Sequence, residues 1–514
     1  MEYRYTIKGV ATQLHRKLRE YLETQYPISN PELQEKRTLL LNSPRVISSE
    51  PFIEATPIYE KSGPYEEMSI PDASKRLMTR LSSLSPGVGV FPQLYVHQQW
   101  AMEAFFHHAQ DLVVATGTGS GKTETFMYPI LNSLYLEAEE RPNQFSKRAV
   151  RALILYPMNA LVSDQMTRLR RLYRDERVKQ IFREVAERNV QFGMYTSRTP
   201  FAGSPKKSKV DRLLKVINEY LELEEKHPNT VSQMKERGKW IAKDLVRFKE
   251  SLIELGKTNQ ITVNPYDAEL YARYEMQCTP PDILVTNYSM LEYMLIRPIE
   301  RSIWQMTREW LQSDERNTFL LILDEAHMYR GTSGAEVAYL IRRLQSRLGI
   351  PRDRMRCILT SASIGSKDNE EEKALIFAEK LTGKLAQRSF KFIKGKPEKR
   401  SPGRAASLQE VEALNLLDSE KFLNYSKSYE SFLDNFQKVR LKLNWAEPPA
   451  SYNDFPRYLY EQLRGFGPFE LIFQSISGHA RSIKEIASNL CPDSDPNSDP
   501  PSAEIAASHL LMMA

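Results

Sequence analysis

The sequence predicts an α/β fold: one parallel sheet with helices on both faces, flanked by mainly helical N- and C-terminal regions. Three observations predict it. From Phe91 onward, short apolar runs alternate with longer amphipathic stretches, the texture of a sheet whose strands are buried on both sides. One of those runs leads straight into a glycine-rich turn, DLVVATGTGSGKT at 111–123, and then into a helical stretch. Across the 514 residues, 41% are hydrophobic, 26% charged and 10% aromatic, a globular composition that excludes wholesale disorder.

In chain order, residues 1–90 form an N-terminal helical and irregular region. Leu18, Tyr21 and Leu22 recur there at helical spacing, and a Pro- and Ser-punctuated segment follows over 43–86. Residues 91–385 form the nucleotide-binding domain, with strands expected at 111–116, 152–156, 191–195, 283–286, 319–323 and 357–360. Between about 200 and 264, Lys/Glu-rich sequence with Leu213, Leu214, Ile217 and Leu221 reads as a helical insertion, either a solvated hairpin or a nucleic-acid contact. Its removal over 202–262 is expected to leave the fold and ATP binding intact. A basic Pro/Gly connection occupies 386–410. Residues 411–514 are helical again and leave room for a winged-helix-like unit, with an apolar tail, HLLMMA, that reads as an interrupted domain.

Lys plus Arg outnumber Asp plus Glu by 71 to 65, so the formal net charge of +6 permits a basic groove without demanding one. The three cysteines, Cys278, Cys357 and Cys491, lie far apart, which excludes a disulfide scaffold or zinc ribbon and fits a reducing, cytoplasmic setting. No internal repeat, signal peptide or run of about eighteen apolar residues is found.

The segment 111–123 carries the chemistry. Glycines let backbone N–H groups close around a phosphate, and the helix that follows aims its N-terminus at the same charge. Gly119 and Gly121 keep the turn tight, with Thr118 and Ser120 between and beside them. Lys122 is positioned for the β- and γ-phosphates and Thr123 for magnesium. The general phosphate-loop pattern has glycine where this chain has Thr116. A second apolar run, FLLILDEAH at 319–327, ends in two carboxylates: Asp324 for magnesium and Glu325 to polarise the attacking water.

With TGSGKT, DEAH and the later Ser361-Ala362-Ser363 in this order, the chain resembles the DEAD/DEAH-box superfamily-two helicases over about residues 91–385. That resemblance implies a RecA-like ATP-binding domain, ATP and Mg²⁺ as cofactors, and nucleic acid as partner. PMNALVSDQ at 157–165 is similar to the family's first nucleic-acid motif, which assigns Asn159, Ser163 and Gln165 to the strand backbone. Gly193 fits the glycine element, and PDILVTNYSML at 281–291 adds Thr286 and Asn287. Gln98 resembles the adenine-reading glutamine. Ser361, Ala362 and Ser363 look like the element that couples nucleotide state to grip. The runs HMYRG at 327–331 and PPDILVTNYSMLEYML resemble large bacterial helicases of DNA repair and phage defence, the MrfA-like and Druantia/DISARM types; DNA rather than RNA follows from that resemblance alone.

Such helicases hydrolyse ATP between two RecA-like lobes, the second bringing an arginine through a Q-x-x-G-R-x-x-R motif. No such motif follows residue 385. The chain then reads as the motor lobe of a DNA helicase or translocase whose second lobe lies elsewhere. The alternative is a nucleotide-gated binding or regulatory subunit completed by a partner chain. Neither reading requires a membrane.

Overall fold

The computed structural model describes residues 7–117, 119–201, 203, 206–362, 369–384, 390–492 and 502–514. Two compact units divide the chain: Tyr59–Pro397, and Met1–Ile58 together with Glu398–Ala514.

The first unit is built on an eight-stranded sheet. Its strands are β1 (Asp111–Ala115), β2 (Ala152–Tyr156), β3 (Phe192–Tyr195), β4 (Glu269–Leu270), β5 (Ile283–Asn287), β6 (Phe319–Leu323), β7 (Met355–Ser361) and β8 (Phe390–Lys394). Their order is β4-β3-β5-β2-β6-β7-β1-β8, and every pairing is parallel. The strands are short, buried apolar runs because both faces are covered. Alternate residues serve opposite cores. Leu112, Val114, Ile154 and Ile322 face the layer containing the helices Val96–Phe106, Glu124–Glu140 and Asn159–Tyr173. Val113, Leu153, Leu155, Leu321 and Leu323 face the layer of Tyr288–Ile296, Arg301–Ser313 and Gly331–Leu348. The chain is therefore α/β, as expected.

Two strands were not legible. β4 has only two residues, too few to show a period, and β8 reads Phe-Lys-Phe-Ile-Lys because it lies at the sheet edge, where Lys391 and Lys394 are exposed. Part of the connection expected at 386–410 is thus strand, and Arg400 farther along pairs with the buried Glu470 at 2.7 Å. Residues 59–90 belong to the α/β unit rather than to an N-terminal region. Tyr65, Met68, Leu77, Met78 and Leu81 sit in its first core layer.

The insertion consists of helices Lys207–Lys226, Pro228–Glu236 and Leu245–Thr258 around Val210, Leu213, Ile217, Trp240, Phe248 and Leu252. That core also contains Ala272 and Tyr274 of the flanking chain. Lys243 is buried between Asp267 at 2.6 Å and Glu275 at 2.8 Å, and the Ala242 N–H donates to Glu269 of β4 at 2.8 Å. Removal of 202–262 would strip these partners from the sheet edge. These contacts count against the expectation that the segment is dispensable, because residues 240–244 pair with the sheet edge.

The second unit is helical. Leu408–Asn415, Tyr429–Leu443, Phe455–Leu463, Ile483–Leu490 and Ser502–Met513 enclose a core of Phe432, Phe436, Phe455 and Ile486, with a two-stranded pairing of Phe52–Ile53 and Arg481–Ser482. The apolar tail that reads as an interrupted domain is core: Leu510 and Met513 are buried against this unit's own helices. Among the described residues no helix is long and apolar enough to cross a membrane.

Candidate nucleotide and nucleic-acid site

Sheet order assembles the site. The phosphate loop leaves the C-terminal end of β1 and the DEAH segment leaves that of β6; β7 lies between them. Ligands of open parallel sheets bind at this edge, where strands end and helix N-termini begin.

Within the loop, Gly119 and Gly121 have φ of 76° and 72°, a region that side chains with a Cβ enter only at a cost. A Cβ at Gly121 would also collide with the Gln98 amide. The Ser120 hydroxyl donates to Thr116 Oγ1 at 2.7 Å, so the threonine at the usual glycine position closes the loop through a buried hydroxyl pair. Thr118 and Ser363 lie outside the described residues.

Lys122 Nζ lies 3.3 Å from Glu325 Oε1, which brings together two residues 203 positions apart. Glu325 has φ 51°, ψ 43°, a left-handed conformation that costs about 1–3 kcal/mol and recurs at functional turns. Asp324 is buried, and burial raises its carboxyl above the ordinary aspartate range. It accepts hydrogen bonds from Thr360 Oγ1 and from the Glu325 N–H at 3.0 Å. Thr123 precedes the helix Glu124–Glu140 with no capping hydrogen bond from its side chain. A divalent cation fits this donor set: one carboxylate whose charge burial disfavours and one hydroxyl not engaged in capping, the remaining ligands being phosphate oxygens and water. Among the described residues no cluster of three or more acidic, His or Cys side chains offers an all-protein metal cage.

β7 connects the two halves. Thr360 holds Asp324, Ser361 Oγ lies 3.2 Å from His327 Nδ1, and the Ser361 carbonyl accepts from the Thr116 N–H at 3.1 Å. Ala362, next along, is exposed.

Gln98 does not present a free amide. Its Oε1 accepts from the Tyr95 N–H and its Nε2 donates to the Gly121 carbonyl, both at 2.9 Å, so it ties the start of helix Val96–Phe106 to the phosphate loop. The sequence reading missed its neighbour. His97 is fully buried, with Nε2 2.9 Å from the Ser120 carbonyl, and burial drives its pKa down to about 4. The ring is neutral at pH 7 and donates to that carbonyl. Tyr95 stacks on it at 5.5 Å and Tyr59 meets it edge-on at 5.1 Å. Tyr59 comes from a segment whose motif value no pattern indicated.

The residues assigned to nucleic acid divide into two sets. Asn159, Ser163 and Asn287 are exposed or half-buried at the C-terminal ends of β2 and β5. Asn287 Nδ2 donates to Asn159 Oδ1 at 2.5 Å, and its Oδ1 caps helix Tyr288–Ile296 through Met290 N–H at 2.8 Å. Asn159 in turn reaches Ser197 Oγ at 3.5 Å. The other set faces inward. Thr286 donates to the Tyr195 carbonyl at 2.6 Å, and Gln165 lies between the Tyr156 hydroxyl and Met127. Gly193 is small because Met276 covers it. These three shape the edge rather than offer groups to a ligand.

Residues 95–201 and 229–371 match the DEAD/DEAH box helicase family. The chain is 41% identical over 510 residues to Druantia protein DruE of Escherichia coli (strain UMEA 4076-1), covering 95% of this chain and 28% of that protein. It is 20% identical over 285 residues to an uncharacterized ATP-dependent helicase of Methanocaldococcus jannaschii, covering 55% of this chain and 28% of the relative. The chain thus spans 28% of the length of each curated relative. Among solved structures, it is similar to the DUF1998 helicase MrfA bound to DNA, with TM-score 0.37, 19% identity and coverage of 84% of this chain and 48% of that one. Mss116p bound to ssRNA and AMP-PNP gives TM-score 0.38 and 13% identity, covering 73% and 55%. Through its α/β unit the chain belongs to the DEAD/DEAH box helicases of superfamily two, as a homologue of the Druantia protein DruE.

Proposed function

We propose that residues 59–397 are the ATP-binding lobe of a nucleic-acid translocase, with DNA the favoured track, acting in anti-phage defence. The carrying observation is the convergence of Lys122, Glu325, Asp324 and Ser361 on one sheet edge, with β7 physically joining the phosphate loop to the DEAH turn. Identity to DruE supports the defence setting over DNA repair.

In this reading Lys122 leaves Glu325 to neutralise the β- and γ-phosphates, and Glu325 is freed to accept a proton from the attacking water. Thr123 and Asp324 would hold Mg²⁺, which when bound would neutralise charge on the phosphates. Ser361 and His327 sense where the DEAH turn lies, and Asn159, Ser163 and Asn287 grip the strand through its phosphates without reading sequence.

In this reading the second RecA-like lobe lies outside the described residues, which hold one parallel sheet. We therefore assign the missing arginine to residues outside those described, in a partner chain or in further polypeptide. An arginine of this kind contributes about 10³–10⁵-fold in rate, so its absence leaves turnover near background. The test is ATP binding and turnover with and without single-stranded DNA, duplex DNA or RNA, with Glu325→Gln as the blank. Binding without turnover is expected. Nucleic-acid-stimulated turnover that vanishes in the blank would overturn the half-motor assignment, and absence of ATP binding would overturn the site itself.

A further inference from the structure

The insertion helix Lys207–Lys226 carries its charges the wrong way round. Lys206, Lys207, Lys209, Arg212 and Lys215 crowd its first turns against the single Asp211, whereas Glu219, Glu222, Glu224 and Glu225 occupy its last two. A helix N-terminus bears partial positive charge and its C-terminus negative charge, so both groups oppose the macrodipole. Local stability selects the opposite arrangement, and a local rule broken without structural compensation points to function. At the acidic end Lys226 pairs with Glu222 at 3.1 Å and Lys235 with Glu224. Among the described residues Lys206, Lys207, Arg212 and Lys215 are exposed and form no ion pair.

The basic end is also the end rooted at the site. It follows β3, whose loop places Ser197 beside Asn159 and the exposed Arg198 next to it. Phe201 closes that loop by packing on Tyr274 in the same core as Val210, and the Arg273 N–H donates to the Pro200 carbonyl at 3.1 Å. Residues 202–228 fall outside the family match, so this surface is an addition to the shared lobe.

We propose that Lys206, Lys207, Arg212 and Lys215, with Arg198, form a phosphate-binding extension of the nucleic-acid track. It would engage the backbone of a strand leaving the Asn159–Asn287 edge. This rests on the proposed nucleic-acid function of that edge. Backbone contacts of this kind add affinity and salt dependence without sequence preference.

The experiment is fluorescence-anisotropy titration of the full chain with a labelled single-stranded oligonucleotide at several salt concentrations, alongside a fluorescent ATP analogue. Lys206→Glu/Lys207→Glu/Arg212→Glu should weaken oligonucleotide binding at least about tenfold. It should also flatten the salt slope by roughly 0.7 per lost contact. ATP-analogue affinity should not change, which shows that the variant is folded. Lys226→Glu, at the other end of the helix, should bind as the parent does. Parent binding with an unchanged triple variant would overturn the extension alone. A parent that binds no oligonucleotide would overturn the nucleic-acid reading on which it rests. Equal losses in the triple variant and in Lys226→Glu would mean that net charge matters rather than this surface. Loss of binding to an acidic protein, with oligonucleotide binding retained, would reassign the patch.

Discussion

At the scale of single residues, the site trades stability for chemistry. Asp324 is held among apolar strand ends, where burial raises its carboxyl and makes the ionised form costly. Asp324→Asn keeps an acceptor for Thr360 and removes the charge, so it should raise the melting temperature of the nucleotide-free protein while weakening Mg²⁺-dependent ATP binding; a lower melting temperature would contradict the burial argument. Lys122→Ala should remove detectable ATP binding in a calorimetric titration, since it deletes the ammonium that the loop carries opposite Glu325. His97 supplies a pH dependence. Its folded pKa, about 4, lies below the ordinary 6.5, so its contribution is complete above pH 6.5 and is lost as pH falls toward 4. Each pKa unit is worth about 1.4 kcal/mol, which bounds the loss at about 3.5 kcal/mol. His97→Gln retains a donor for the Ser120 carbonyl and does not titrate. Thermal melts at pH 7.5 and 5 should therefore differ less in that variant than in the parent.

At the scale of elements, the lobe is a parallel sheet whose functional loops all leave one edge, and the insertion is anchored at the far flank by charge. Lys243, buried between Asp267 and Glu275, holds residues 240–244 against β4. Breaking a buried ion pair by removing one partner leaves charges unpaired at a cost of about 3–5 kcal/mol. Lys243→Met should destabilise the α/β unit by that order in a urea titration. A loss below about 1 kcal/mol, the size of a surface pair, would mean that the insertion is dispensable after all. The reversed charges of helix Lys207–Lys226 forgo roughly 0.3–1 kcal/mol apiece at low salt, a standing cost that the proposed phosphate contacts would offset.

At the scale of the whole molecule, two units with separate cores share one chain, and only one carries the phosphate loop. A ligand that binds the native state alone stabilises it by mass action. ATP with Mg²⁺ at about one hundred times its dissociation constant should raise the stability of unit 59–397 by about 2.7 kcal/mol, read as an upward shift of its calorimetric transition. Lys122→Ala should show no shift. The net charge of +6 is too small to bind a polyanion by itself, so the proposed function assigns affinity to local surfaces, the Asn159–Asn287 edge and the basic end of the insertion.

The strand-turn-helix at 111–123 and the apolar run ending in Asp324-Glu325 were legible because their chemistry is local. A phosphate loop needs adjacent glycines, and a buried parallel strand needs a continuous apolar run. The same locality misled at Thr286 and Gln165, where motif position suggested a ligand contact and the fold turns both side chains inward. The tertiary structure alone decided what depends on distant partners. It placed β7 between the two halves of the site, brought Lys122 to Glu325 across 203 positions, and set His97 and Tyr59 beneath the phosphate loop. Neither periodicity nor motif spacing encodes which strand lies beside which. Sheet order arises from packing of the whole chain, and here it turns separate motifs into one site.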